Sequence, residues 1–202
     1  MNRQTEVHVQ HGLIVVFLCV VWLWAAIAPL SREDWLLENL LVFFFAALLL
    51  ATYRYFAFSV RSYWLFAVFL ALHIYGSHYT YAETPFGFWL QDSLALGRNH
   101  YDRLVHFAFG ALLAYPLCEL LQNRTGLSGR WLNIFSLTLV MAMSNLYEQV
   151  EMLAALIVSP ELGTAFLGTQ GDEWDAQKDA GLATLGAVLA LLLSNLGAMR
   201  RA

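Results

Sequence analysis

Ionisable residues recur at helical spacings in four stretches of this chain that are otherwise apolar. In Asn99-His100-Tyr101-Asp102-Arg103-Leu104-Val105-His106, Asp102 and His106 are four apart and share a helix face. Tyr147-Glu148-Gln149-Val150-Glu151 sets two carboxylates three apart. Asp172, Asp175 and Asp179 form a stripe at spacings of three and four, and His73 and His78 close a fourth stretch. Carboxylates together with imidazoles suit a divalent transition metal, zinc, manganese or iron, which acidifies bound water in a dry pocket. On this pattern His73, His78 and His106 are candidate metal ligands. Asp102, Glu148, Asp175 and Asp179 are candidate catalytic groups, as a general base or as further ligands. Plainer roles stand beside these. Asp102 and Asp172 suit N-caps, Glu173 and Asp175 complement a helix dipole, and His78 and His100 suit loops. Glu148 and Glu151 could reach interfacial water. No Gly-x-Ser-x-Gly turn occurs, and neither cysteine, Cys19 nor Cys118, lies near these residues, so nucleophilic triad chemistry is not indicated.

The elements that must position these groups are membrane helices. Of 202 residues, 59% are hydrophobic and 13% charged, against about a quarter charged in soluble domains. The mean hydropathy is +0.57. An apolar run of roughly 20 residues crosses a hydrocarbon core of about 30 Å as a helix. Such runs extend over Leu13–Leu30, Leu36–Tyr53, Tyr63–Tyr75, Leu104–Leu121, Trp131–Val158 and Ala180–Met199. The third is short and ends near Gly76 or continues as a polar helix. The fifth is interrupted by Asn145, Glu148, Gln149 and Glu151. The expectation is an all-α integral membrane protein: one polytopic domain over residues 1–202, a bundle of about six transmembrane helices. Phe86–Leu96, rich in aromatics and bounded by Pro85 and Gly97, reads as a short interfacial helix. Ala26-Ile27-Ala28-Pro29 resembles a signal-peptide cleavage site, but the proline disfavours cleavage and the segment is read as the first span.

Short cytoplasmic loops retain Lys and Arg. With six spans, Arg3, Arg54, Arg61, Arg124, Arg130, Arg200 and Arg201 fall on one side, and Arg32, Arg98, Arg103 and Lys178 on the other. Seven against four puts both termini in the cytoplasm. The opposite, non-cytoplasmic side then carries the two long connections, from Gly76 to Arg103 and from Ser159 to Lys178. Asp102, His106, Asp175 and Asp179 lie at that boundary. Glu148, about 25 Å along its helix from Trp131, reaches the same layer. The net charge of -4 and the absence of any Lys/Arg run beyond Arg200-Arg201 exclude nucleic acid as a partner.

The stretches HIYGSHYTYAETPFG, NHYDRLVHFAFG, NLYEQVEM and GDEWDAQKDAG resemble the YjdF-like family of bacterial inner-membrane proteins of unknown function, over most of the chain from the second helix onward. More distantly, the pattern is similar to the teicoplanin-resistance VanZ-like group. Asp102, Arg103, His106, Glu148 and Asp175 match that pattern, whereas Asp179 stands where it commonly has asparagine. The resemblance implies fold and membrane location, not a reaction. Three functions fit: a metal-assisted enzyme acting on a membrane lipid or lipid-linked headgroup, an ion or small-solute carrier, or a non-enzymatic binding or resistance protein whose polar cluster joins helices. A carrier needs polar residues on the inner side too, where Glu119 and Asn123 are almost alone.

Overall fold

The computed structural model describes residues 3–199, and all regular structure among them is helical. The Arg200-Arg201 pair and the two chain ends, on which the expected orientation partly rests, lie outside the described residues. Eight helices follow in order: α1 (Arg3–Ala26), α2 (Arg32–Thr52), α3 (Val60–His78), α4 (Pro85–Leu94), α5 (Tyr101–Thr125), α6 (Gly129–Ile157), α7 (Pro160–Leu167) and α8 (Asp175–Met199). By length and apolarity, four segments suffice to cross a membrane: Gln4–Ala26, Arg32–Thr52, Tyr101–Thr125 and Asp175–Ser194. The remaining two long helices carry more polar residues. α3 has 19 residues and α6 has 29, about 28 and 43 Å at 1.5 Å per residue.

Local chemistry sets the helix ends. Ser31 accepts from the Asp34 amide and Ser59 from the Ser62 amide, which N-cap α2 and α3. α4 and α7 both start at a proline, whose missing N–H costs nothing there. α7 was expected as part of a connection. Its signal was Ser159-Pro160, and the Ser159 hydroxyl accepts from the Leu162 amide at 3.2 Å. α4 falls within one or two residues of the expected interfacial helix and leaves Phe86, Phe88 and Trp89 exposed.

The core divides in two. Ala25, Phe66, Phe69, Leu70, Ile74 and Val105 pack where α1, α3 and α5 meet. Ala114, Val140, Ala183, Ala187 and Leu191 pack where α5, α6 and α8 meet. α5 and α8 make the tightest pair, because Gly110 and Gly186 have no side chain. A Cβ on Gly110 would sit 1.7 Å from the Ala183 carbonyl oxygen, and one on Gly186 would sit 2.2 Å from that of Phe107. Small residues let membrane helices approach where lipid offers no hydrophobic drive for association.

Side-chain contacts sort the long helices into two ends. At one end Trp64 donates to Gln10, and the Ser59 amide and hydroxyl donate to Glu119. At the other, the Leu30 amide donates to the His78 carbonyl, and Arg98 pairs with Asp175. The candidate residues gather at this second end.

Candidate functional site

The first turn of α5 is fixed before any functional group is placed. Asn99 is buried; its amide nitrogen donates to the Thr84 carbonyl at 3.1 Å, and its carbonyl oxygen accepts from the Tyr101 amide at 3.0 Å. The Tyr101 hydroxyl donates to the Leu72 carbonyl at 2.8 Å. So anchored between α3 and the start of α4, α5 presents Asp102 and His106, one turn apart, toward α6 and α8.

At that point three helices bring their ionisable groups together. His106 Nε2 lies 3.5 Å from Asp102 Oδ1 and 3.5 Å from Glu148 Oε1 of α6. Asp179 of α8 completes the group: one ligand atom each from Asp102, His106 and Asp179 lies within 4.8 Å of the others. His106 is 8% exposed and Asp179 1%. Asp179 Oδ1 and Glu148 Oε1 are buried and accept no hydrogen bond, an arrangement that costs free energy unless something supplies positive charge or protons. Arg103 Nε approaches Asp179 Oδ1 to 4.0 Å, beyond hydrogen-bonding range.

Asp175 has a different neighbourhood from Asp179. Arg98 pairs with it closely and also holds the Thr169 carbonyl, while Arg103 reaches it at 3.3 Å. Arg103 also pairs with Asp172, which takes Lys178 Nζ at 2.6 Å and the Trp174 amide at 3.1 Å. Gln170 donates to the Asn99 carbonyl at 2.8 Å. These contacts fasten the 168–174 connection across the start of α5. The Lys178 hydrogen bond, then the Trp174 amide, hold the Asp172 carboxyl well below the usual carboxylate range. Burial, reinforced by Arg103 and Arg98, lowers His100 from the ordinary histidine value.

The other two histidines expected as ligands are engaged elsewhere. The ring nitrogen Nε2 of His73 lies 2.9 Å from the Glu38 carbonyl oxygen, which can only accept, so Nε2 carries the proton. Nδ1 is then the acceptor for the Tyr81 hydroxyl at 2.5 Å. With both nitrogens used, His73 borders the cluster without offering it a lone pair. His78 is farther removed: Nδ1 faces the Ala25 carbonyl at 2.9 Å, and its ring stacks on Trp24 with centroids 4.6 Å apart, which joins α3 to α1.

Sequence reasoning passed over several groups here. Glu38, 3% exposed, lies nearly two turns inside α2, where its carboxylate accepts from the Tyr147 hydroxyl at 3.4 Å. Asp34, one turn before it, is 1% exposed and both its carboxylate oxygens lack hydrogen bonds. Their spacing of four, into an otherwise apolar helix, was the available signal. Arg98 and Arg103 were read for orientation, although their positions flanking Asp102 suggested partners for the aspartates of α8. At the other end, Glu119 is held by Ser59 and Ser62 of α3 and serves as a helix-to-helix tie.

A helical membrane protein with one buried acid and imidazole cluster at one end of the bundle is the class that fold and site define. Residues 10–199 match the family described as Predicted membrane protein (DUF2238), and the chain belongs to that family. It is 36% identical over 176 residues, 87% of this chain and 84% of the relative, to the Inner membrane protein YjdF of Escherichia coli (strain K12). These matches carry the YjdF-like resemblance and do not extend to the VanZ-like one. No solved structure matches.

Proposed function

We propose that this chain is a bacterial inner-membrane protein of six spans, both termini cytoplasmic, that holds a divalent transition-metal ion near the periplasmic face and acts there on the headgroup of a lipid or lipid-linked substrate. The observation that carries the reading is the meeting of Asp102, His106 and Asp179 within 4.8 Å, with buried oxygens of Asp179 and Glu148 left without hydrogen bonds. Several carboxylates at membrane depth are expensive unless a cation offsets them. A hard or borderline divalent ion suits one imidazole with carboxylate oxygens, and it would supply an acidified water. Asp102, His106 and Asp179 are the ligand set. Glu148, 3.5 Å from His106, is a fourth ligand or the base that takes a proton from that water. Asp175, paired with two arginines, orients α8 and is a positioning residue. The carrier reading has less support, since Glu119 at the other end is tied to two serines.

Elemental analysis of the detergent-purified protein tests this. About one transition-metal ion per chain is expected, lost in His106→Ala and Asp179→Asn variants that still elute as folded protein. Wild-type protein that stays empty after metal supplementation would overturn the reading and leave the cluster as an internal tie between helices.

A further inference from the structure

Beside the cluster lies a cavity of about 490 Å³ between α2, α3, α5 and α6, within the range of roughly 300–1,000 Å³ usual for ligand pockets. Its two ends differ in chemistry. One end holds Glu38, Asp102, Glu151 and His106 with the hydroxyls of Tyr81 and Tyr147, and no Lys or Arg lines any part of it. The rest is apolar, walled by Leu40, Phe44 and Leu48 of α2 and by Met143, Leu146 and Val150 of α6. These six side chains are all more than a third exposed.

The cavity opens sideways. α2 packs on α3 and α7, and α6 packs on α5, α7 and α8, so α2 and α6 face each other across the gap without close packing. α7 touches both and closes the polar end, where its Phe166 joins the lining. From Glu38 to Leu48 the α2 wall rises about 15 Å at 1.5 Å per residue, which is half of a hydrocarbon core about 30 Å thick. The wall is therefore about as long as one leaflet is thick, with its acidic residues at one end.

We infer that this cavity binds a single long-chain amphiphile from the bilayer, its alkyl chain between α2 and α6 and a hydrogen-bond-donating headgroup, hydroxyl or ammonium, against Glu38, Glu151 and the tyrosine hydroxyls. The inference rests on the proposed lipid-directed function and narrows its substrate class. Apolar walls open to lipid select a chain, since each buried CH2 is favourable and no polar group there would be left unsatisfied. The polar end selects the head: Glu38 and Glu151, with no Lys or Arg in the lining, accept donors and disfavour an anion. His106 lines the same cavity, which sets the bound headgroup beside the metal ligands.

The test is photolabelling of the full-length protein in lipid nanodiscs, with labelled sites mapped by peptide mass spectrometry. Three long-chain probes carry the same alkyl diazirine and differ in the head: a monoacylglycerol, an alkylammonium and an alkyl phosphate. The expected result is labelling of the facing sides of α2 and α6 by the first, the second or both; which one labels distinguishes a neutral from a cationic head. Leu41→Trp and Ala154→Phe, which fill the cavity from opposite walls, should each reduce labelling roughly tenfold. Leu185→Trp, on the exposed side of α8, should leave it unchanged. Uniform labelling of all lipid-facing helices, no loss in either filled variant, or a phosphate probe as effective as the others would overturn the inference. The measurement is made with and without chelator: labelling that survives chelation upholds the amphiphile site even if the metal proposal fails, and metal binding without labelling does the reverse.

Discussion

His73 and His106 have the same side chain and border the same cavity, yet their surroundings give them different chemistry. A carbonyl and a phenol occupy both nitrogens of His73, whereas Nε2 of His106 faces two carboxylates. Sequence spacing pairs Asp102 with His106, because four residues is one helical turn. It says nothing about a carbonyl 35 positions away, which is why His73 reads as a ligand until the fold is known. Asp172 shows the same limit: its position suits an N-cap, whereas its carboxylate accepts from the Trp174 amide ahead of α8 and pairs with Lys178 and Arg103, which spacing does not reveal. Those links make a prediction about pH. The folded-state pKa of Asp172 is depressed, so its contribution to stability is present above the unfolded value of about 3.9 and is lost as pH falls through the folded value. The difference in thermal midpoint between wild type and Asp172→Asn should therefore be constant from about pH 7 to pH 5 and should shrink below about pH 4. A difference that does not change down to acid denaturation would show that the Lys178 and Arg103 contacts do not form in solution.

At the scale of elements, α3 and α6 read least clearly as spans, although α6 brings Glu148 to the cluster. The run of α1 is uninterrupted from Leu13, that of α2 is interrupted only by Glu38 and Asn39, and α5 and α8 keep most of their charges near their ends, so all four satisfy length and apolarity. α3 carries His73 and His78, and α6 carries Asn145, Glu148 and Glu151, which lower their hydropathy at the residues that make them interesting. α7 was illegible for another reason. It is 8 residues long, too short for a periodic pattern to stand out from a connection. Four helices are long and apolar enough to cross a membrane; the proposed six crossings, with the orientation expected from the seven-to-four distribution of Lys and Arg, make a further prediction. Reporters fused before the first residue and after the last should both report cytoplasm, and one inserted at Gly168, between α7 and α8, should report periplasm. A periplasmic signal from either terminus would sink both the span count and the orientation.

Taken as a whole molecule, the bundle is polarised: helix ties such as Ser59–Glu119 hold one end, while acids, imidazoles and the open cavity occupy the other. The tight α5 and α8 pair provides a rigid back wall for the site, and the loose α2 and α6 pair provides an entrance from lipid. Rigid support on one side and access on the other is what positioning a headgroup against a metal requires. The central claim is that α5, α6 and α8 hold one ion through a single imidazole and carboxylate oxygens. X-ray absorption fine structure at the zinc edge of zinc-loaded protein tests it most directly. The account predicts one imidazole together with carboxylate oxygens at about 2.0–2.2 Å; two or more imidazoles would contradict it, because His106 is the one imidazole in the proposed ligand set.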